Sequence, residues 1–366
     1  YPRGLIGAML ARLDVGVALF FVVSGFLLTL GFLRPASEGR PGPRLGDYAI
    51  KRALRIWPVF VVTLVVVHLT VARDVGAGSW VRSLTMTTLY GDRFFSDGLT
   101  QMWSLETEVA FYVLLPLLLL GSARLARRVG VLRSTVLLAG LLTAVNVVWV
   151  VALTKPAEEQ FPFAHQWLPA YLDWFAAGMV LAAAWVARSH GSRHAVVRLL
   201  DLAGSLPGLC WTVAASVLLL ASTPLAGPLD LSPSTTPATM LLKNLAYLAV
   251  GVLVVVPAVF GPPTRYRAAL EHRVPRYLGQ VSYAVFCIHL VVLHAVMAMT
   301  STELFSGRFW LVAPLTLVLS VVAAIVLHHV VERPAVSLAG RLTRRGQPTS
   351  AAKDTTPSAS SWTQVS

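Results

Sequence analysis

The chain carries little charge for its length. Asp, Glu, Lys and Arg make up only 13% of its 366 residues, whereas 56% are hydrophobic. About a quarter of the residues of a soluble domain are charged, so a soluble enzyme is excluded. Cysteine is equally scarce: Cys210 and Cys287 both fall inside apolar runs, which excludes a fold held together by disulfides.

Clusters of metal-ligating residues are also lacking. His190 and His194 have the i, i+4 spacing of metal ligands, but no acidic or thiol side chain lies close to them in the sequence. We therefore predict no metal site and no bound cofactor.

What the chain has instead is long apolar runs. A helix needs about 20 apolar residues to cross a bilayer, and nine runs approach or exceed that length. The sequence therefore predicts an all-α fold, a polytopic transmembrane helical bundle of about nine spans. The runs are 13–33, 56–72, 104–121, 131–153, 168–187, 206–223, 240–260, 277–299 and 310–331.

The basic residues are distributed unevenly between the linkers. Taking the linkers alternately, 22 of the 30 Lys and Arg residues fall on one side of the predicted bundle and 8 on the other. The positive-inside rule places the richer side in the cytoplasm, which puts the N-terminus outside and the C-terminus inside. Topology thus accounts for the net charge of +13. Membrane lipid is a predicted partner, and nucleic acid is not.

Two regions differ in composition. Residues 1–340 hold all the apolar runs and are predicted to form one membrane domain, while residues 341–366 are rich in Ser, Thr, Pro and Gln and are predicted to be a disordered cytoplasmic tail. The chain begins with Tyr1 rather than Met, and its first run starts almost at once. The membrane domain is therefore expected to be incomplete at its N-terminus.

Two carboxylates stand at the start of the third run. On a helix, Glu108, Tyr112 and Pro116 share one face, whereas Glu106 points elsewhere. A carboxylate about one turn inside hydrocarbon must face protein or a wet cavity, and it indicates function. The alternative is that Glu108 is a structural acid paired with an arginine of another helix.

Arg52 and Arg55 lie one turn apart at the predicted cytoplasmic entrance of the second span. Paired guanidinium groups suit a multiply phosphorylated ligand, because arginine can bind phosphate with two parallel hydrogen bonds. Anchoring to lipid phosphates would explain the same pair.

Two further residues lie at membrane depth. His289 is about 18 Å along the eighth span, where an imidazole must be hydrogen-bonded or functional, and a structural histidine is as plausible as a catalytic one. Ser24 and Gly25 form a small pair among aromatic residues, and close helix packing explains them as well as a substrate contact does.

Taken together, five segments resemble the bacterial acyltransferase 3 family of integral-membrane O-acyltransferases. Their order and spacing extend over almost the whole chain. They are Gly16–Phe26, Arg52–Pro58, Trp103–Tyr112, Leu278–His289 and Glu332–Pro334.

This resemblance implies a bacterial plasma-membrane enzyme of ten spans. Such an enzyme moves an acetyl or short acyl group from cytoplasmic acyl-CoA to a hydroxyl of a sugar, cell-envelope glycan or secondary metabolite. It implies that Arg52 and Arg55 serve acyl-CoA and that Glu108 and His289 are catalytic. Candidate substrate-binding residues are Trp103, Tyr112 and Ser24.

The chain departs from the family pattern in two places. The family's first helix carries an Arg and, about ten residues later, a His thought to be essential; no run of this sequence matches that helix. The Asp of the family's next motif is Ala18 here. Two other functions therefore stay open: a transporter or flippase of a polar solute, and an inactive family member acting as a binding subunit.

Overall fold

A computed structural model describes residues 4–73, 75–229, 236–303 and 308–344. Within these ranges every regular element is a helix, and no strand is formed. The all-α prediction is confirmed. Residues 341–344, which the sequence analysis assigned to the tail, continue a helix, and residues 345–366 lie outside the described part.

Nine long helices form the body of the bundle. Their bounds are α1 Val15–Ser37, α2 Leu45–Thr70, α3 Met102–Val129, α4 Val131–Val148, α5 Leu172–Ser189, α6 Pro207–Ala221, α7 Pro237–Phe260, α8 Arg273–Met299 and α9 Phe309–Leu327.

Short helical elements connect or extend them. The α-helical ones are Leu5–Leu10, Ala77–Leu84, Thr154–Glu158, Ala195–Ser205, Arg265–Glu271 and Arg333–Arg344. Four 3₁₀ turns are Thr88–Tyr90, Ala164–Gln166, Leu168–Tyr171 and Pro224–Ala226. Two π-helical turns are Trp149–Leu153 and His328–Glu332.

Eight helical segments of the described chain are long and apolar enough to cross a membrane, so this is a multi-pass membrane protein. The sixth predicted span is different. Its helix α6 begins at Pro207 and follows the helix Ala195–Ser205 after a bend of 91°. Proline disfavours helical geometry in the residue before it, which explains the break at Leu206. Counting this bent pair as one span gives the nine that the sequence predicts.

One part of the core is built on close contact between α1 and α5. A Cβ atom added to Gly178 would lie 2.1 Å from the carbonyl oxygen of Val22, and one added to Gly25 would lie 2.3 Å from that of Phe175. Only glycine permits such an approach, as is usual between membrane helices. Phe21 and Phe175 stack beside this contact with ring centroids 4.4 Å apart. Gly25 of the small pair therefore serves helix packing.

A second part of the core joins α2, α8, α9 and the first turns of α3. Its fully buried side chains include Ile56, Leu64 and Leu105. Trp103 and Tyr112 pack against both parts of the core. Helix α3 thus forms the seam between them, and polar side chains collect along this seam.

Candidate functional site

Glu108 lies at the seam and is almost completely buried, with 2% of its surface exposed. The hydroxyl of Ser24, from α1, donates a hydrogen bond to its Oε1 atom. The Tyr112 side chain, one turn further along α3, also interacts with this carboxylate. Arg52 and Arg55 are near enough for their charges to act on it. The seam therefore holds a buried acid among groups that can stabilise its negative charge.

Tyr112 is itself fixed by α2. The hydroxyl of Tyr48 donates to the backbone carbonyl of Tyr112 over 3.1 Å, and Tyr48 packs against Phe32 of α1 with ring centroids 5.2 Å apart. These contacts therefore hold the backbone of α3 at Tyr112 against α2 and α1.

Glu106, two residues before Glu108, faces another way. Its two carboxylate oxygens accept hydrogen bonds from the backbone amides of Thr88 and Leu89, at 3.1 and 2.9 Å. Trp167 donates to the carbonyl of Leu89 over 2.9 Å and ties a second loop to the same turn. Glu106 is thus a structural acid, and the different directions predicted for the two carboxylates are confirmed.

Arg52 and Arg55 lie on α2 beside Glu108. The guanidinium carbon of Arg52 lies 5.8 Å from the ring centroid of Tyr112. Arg55 forms an ion pair with Glu332, and its guanidinium carbon lies 6.0 Å from the Tyr283 ring centroid. Both arginines therefore border the seam, but they have different partners.

Glu332 ends a π-helical turn and has no exposed side-chain surface. Its second oxygen is 2.9 Å from the Nδ1 atom of His328 on the same turn. π-helical turns often occur at functional sites, and this one brings the Glu332 side chain into contact with Arg55 of α2. The Glu-Arg-Pro segment thus contributes an acid to the site, a role that its sequence position alone did not indicate.

His289 lies further along α8. Its Nδ1 atom is 2.8 Å from the carbonyl oxygen of Phe286. A carbonyl only accepts hydrogen bonds, so Nδ1 carries the proton and Nε2 is left as the basic nitrogen of the neutral ring. Gln101, just before α3, donates to the carbonyl of Cys287 over 3.0 Å and to that of Phe286 over 3.5 Å. The side chains of His289 and Gln101 therefore contact carbonyl groups of the same turn of α8.

The site has two levels along the bundle. Glu108, Tyr112, Ser24 and the two arginines form the lower level, and Tyr283 joins them because its hydroxyl donates to the carbonyl of Ile56 over 2.8 Å. His289 follows Tyr283 by six residues, about 9 Å of helical rise.

His289 defines the upper level of the site, and aromatic rings also pack against one another there. Phe20 and Phe286 stack there with centroids 6.4 Å apart. Trp103 contacts Tyr171 with centroids 5.3 Å apart, beside the seam rather than against the carboxylate.

The sequence did not indicate four contributors: Tyr48, Gln101, the hydroxyl of Tyr283 and the carboxylate of Glu332. Gln101 precedes Glu108 by seven residues and so lies on the same helical face, which could have indicated it. Tyr48 gave no such signal, since it sits in a polar segment before the second apolar run. Among the described residues, no group of three His, Cys, Asp or Glu side chains is placed to hold a metal ion.

Two characterised proteins resemble this chain. It is 27% identical over 370 residues to "Acyltransferase MdmB" of Streptomyces mycarofaciens, a match that covers 90% of this chain and 82% of that protein. It is 31% identical over 129 residues to "Nodulation protein 10" of Rhizobium leguminosarum bv. viciae, covering 28% of this chain and 32% of that protein.

No solved structure matches the chain. The family profile described as "Acyltransferase domain", Acyl_transf_3, matches residues 5–329 and so includes both levels of the site. The chain therefore belongs to the Acyl_transf_3 family of acyltransferases.

Proposed function

We propose that this protein is an acyl-CoA-dependent O-acyltransferase of a bacterial plasma membrane. It would take an acetyl or short acyl group from acyl-CoA and transfer it to a hydroxyl of a sugar, cell-envelope glycan or secondary metabolite. The observation that carries the proposal is Glu108, buried at the seam with Ser24 and Tyr112 at its carboxylate and the charges of Arg52 and Arg55 close by.

The donor would enter from the arginine-rich end of the bundle, which the distribution of basic residues assigns to the cytoplasm. Coenzyme A carries several phosphate groups, and guanidinium groups bind phosphate by charge-assisted hydrogen bonds. Arg52 supplies positive charge beside Glu108. This arrangement suits a thioester whose phosphates stay at the bundle end while its acyl group reaches the seam.

The chemistry needs a proton acceptor and a hydrogen-bond donor. The hydroxyl oxygen attacks the thioester carbon, its proton passes to a base, and the sulfur leaves and is protonated. Nε2 of His289 is available to accept that proton, because Nδ1 is bonded to a carbonyl. As negative charge develops on the oxygen of the thioester, the O–H of Tyr112 would turn from the Glu108 carboxylate and donate to that oxygen. Glu108 and Ser24 would hold Tyr112 in position.

The test is an assay of the purified protein in lipid nanodiscs with acetyl-CoA labelled in the acetyl group. Candidate acceptors are offered singly, and esters are identified by mass spectrometry. We expect labelled ester with at least one hydroxylated acceptor and none when acetyl-CoA is omitted.

Two other results would each replace the proposal. Export of an unmodified acceptor by sealed vesicles would indicate a transporter. Tight acceptor binding without any ester would indicate an inactive binding subunit.

A further inference from the structure

The two arginines of the α2 segment are not equivalent. Arg55 contacts the carboxylate of Glu332, whereas Arg52 has no carboxylate contact among the described residues. Both are partly exposed, so burial does not distinguish them. The difference lies in what neutralises their charge.

Arg55 is held on several sides. Glu332 is fully buried, so its negative charge is poorly hydrated and acts strongly on the guanidinium. His328 binds the other oxygen of this carboxylate over 2.9 Å and fixes its orientation. The Tyr283 hydroxyl bonds the carbonyl of Ile56, the residue next to Arg55, over 2.8 Å. An incoming phosphate would have to compete with an acid that is already in place.

Arg52 is held by much weaker contacts. Its guanidinium lies near the Tyr112 ring, and its Nε atom is buried without a hydrogen-bond partner. No hydrogen bond from its two terminal nitrogens is formed to any described residue. A buried donor without a partner is unfavourable, and a ligand oxygen that reaches this guanidinium would remove that penalty.

We propose that the two arginines divide the work: Arg52 binds a phosphate of the acyl donor, and Glu332 positions Arg55 as its own counter-ion. The Arg55–Glu332 pair then joins α2 to the π-helical turn His328–Glu332, and Arg52 is left open to a ligand. This inference rests on the proposed function, because it assumes a phosphorylated donor at this end of the bundle.

The test measures binding of coenzyme A itself by isothermal titration to the purified protein, with no acyl group or acceptor present. Arg52→Met should weaken binding at least tenfold and flatten its dependence on salt concentration, because one phosphate contact is lost. Arg52→Lys keeps the charge and should recover most of the affinity.

The matched variant is the double substitution Arg55→Met and Glu332→Met. Arg55→Met alone would remove the arginine that neutralises the buried Glu332 and endanger the fold, whereas removing both members of an ion pair is often tolerated. We expect the double variant to bind coenzyme A within threefold of the wild type and to keep its salt dependence. Size-exclusion chromatography and the melting temperature verify that it is folded.

The outcomes distinguish a wrong division of labour between the arginines from a wrong donor. If the double variant loses as much affinity as Arg52→Met, both arginines bind the donor and the division of labour is wrong. If the double variant does not fold, charge reversal to Arg55→Glu with Glu332→Arg takes its place, with the same expectation. If the wild type does not bind coenzyme A, the proposed donor is wrong, and the role of Arg52 falls with it.

Discussion

The two parts of the core are held together by different forces. On the α1–α5 side, backbones approach through Gly25 and Gly178, and Phe21 and Phe175 stack between the helices. On the α2–α8 side, the contacts are directional: Tyr283 to the Ile56 carbonyl, Arg55 to Glu332 and Gln101 to the Cys287 carbonyl.

This difference distinguishes a rigid structural part of the bundle from a part that can take part in binding and chemistry. Dispersion contacts between close backbones cannot be rearranged without loss of packing, so the α1–α5 side forms a fixed wall. Hydrogen bonds and ion pairs can exchange partners with a ligand, so the α2–α8 side can respond to a donor or acceptor. Glu108 stands between them: Ser24 on the wall bonds its carboxylate, and the arginines of α2 face it.

The largest expected effect comes from the buried acid at the seam. Glu108→Gln should lower acyl transfer by about 10–10²-fold, because the amide lacks the charge that strengthens the hydrogen bonds with Ser24 and Tyr112, each worth about 1.5–3 kcal/mol, while the protein stays folded. Glu106→Gln is the control, since it removes a carboxylate that is bound at the Thr88–Leu89 turn and not by Ser24.

Glu106→Gln should instead destabilise the protein by about 1–3 kcal/mol, because one amide loses its acceptor. Initial rates together with thermal unfolding measure both effects. Equal loss of rate in the two variants would mean that the site does not centre on Glu108.

A second prediction tests the fixed wall. Gly178→Ala places a methyl group against the backbone of α1, and overpacking of this kind costs about 1–3 kcal/mol or more. Gly140→Ala, in α4, meets no atom within 4 Å and should be neutral or slightly stabilising. The measurement is thermal unfolding in detergent. A Gly178→Ala protein as stable as the Gly140→Ala protein would remove the distinction between wall and movable side.

A third, smaller effect is expected from the link between wall and acid. Ser24→Ala removes a hydrogen bond to a carboxylate, worth about 1.5–3 kcal/mol, and should lower kcat by roughly tenfold or more. Ser282→Ala is the matched control, because that hydroxyl is exposed and bonds only its own helix at Gly279. If the Ser282 variant loses as much activity, the loss does not report on Glu108.

The smallest effect concerns the end of α1 away from the arginines. Lys243 contacts Asp14 over 2.6 Å, and both side chains are partly exposed. Lys243→Ala should lower stability by less than about 1 kcal/mol, and the difference should vanish in high salt. Asp14 keeps the hydrogen bond from Tyr247. Unfolding at two salt concentrations tests this, and a salt-independent loss would contradict it.

Much of the architecture could be predicted. Apolar runs of spanning length are required wherever a helix crosses lipid, so the sequence alone predicts the spans and the all-α class. The break at Leu206 was not predicted as a sharp bend, because Pro207 at the start of an apolar run equally suits the first turn of a straight helix.

The site was predicted in part. Ser24, Glu108, Tyr112, Arg52 and Arg55 do gather at one seam, and Trp103 lies beside it. The catalytic role of Glu108 and His289 and the donor role of the arginines stay predictions.

The sequence by itself determined which ionisable residues lie within the apolar runs, because a charge there is costly and must find a partner or water. Partner choice was decided by the tertiary structure. Glu106 and Glu108 are two residues apart, yet one binds loop amides and the other a serine of α1. Arg52 and Arg55 are three apart, yet only Arg55 meets Glu332. A hydrogen bond or an ion pair depends on distances of a few ångströms between helices far apart in the chain, and only their packing sets those distances.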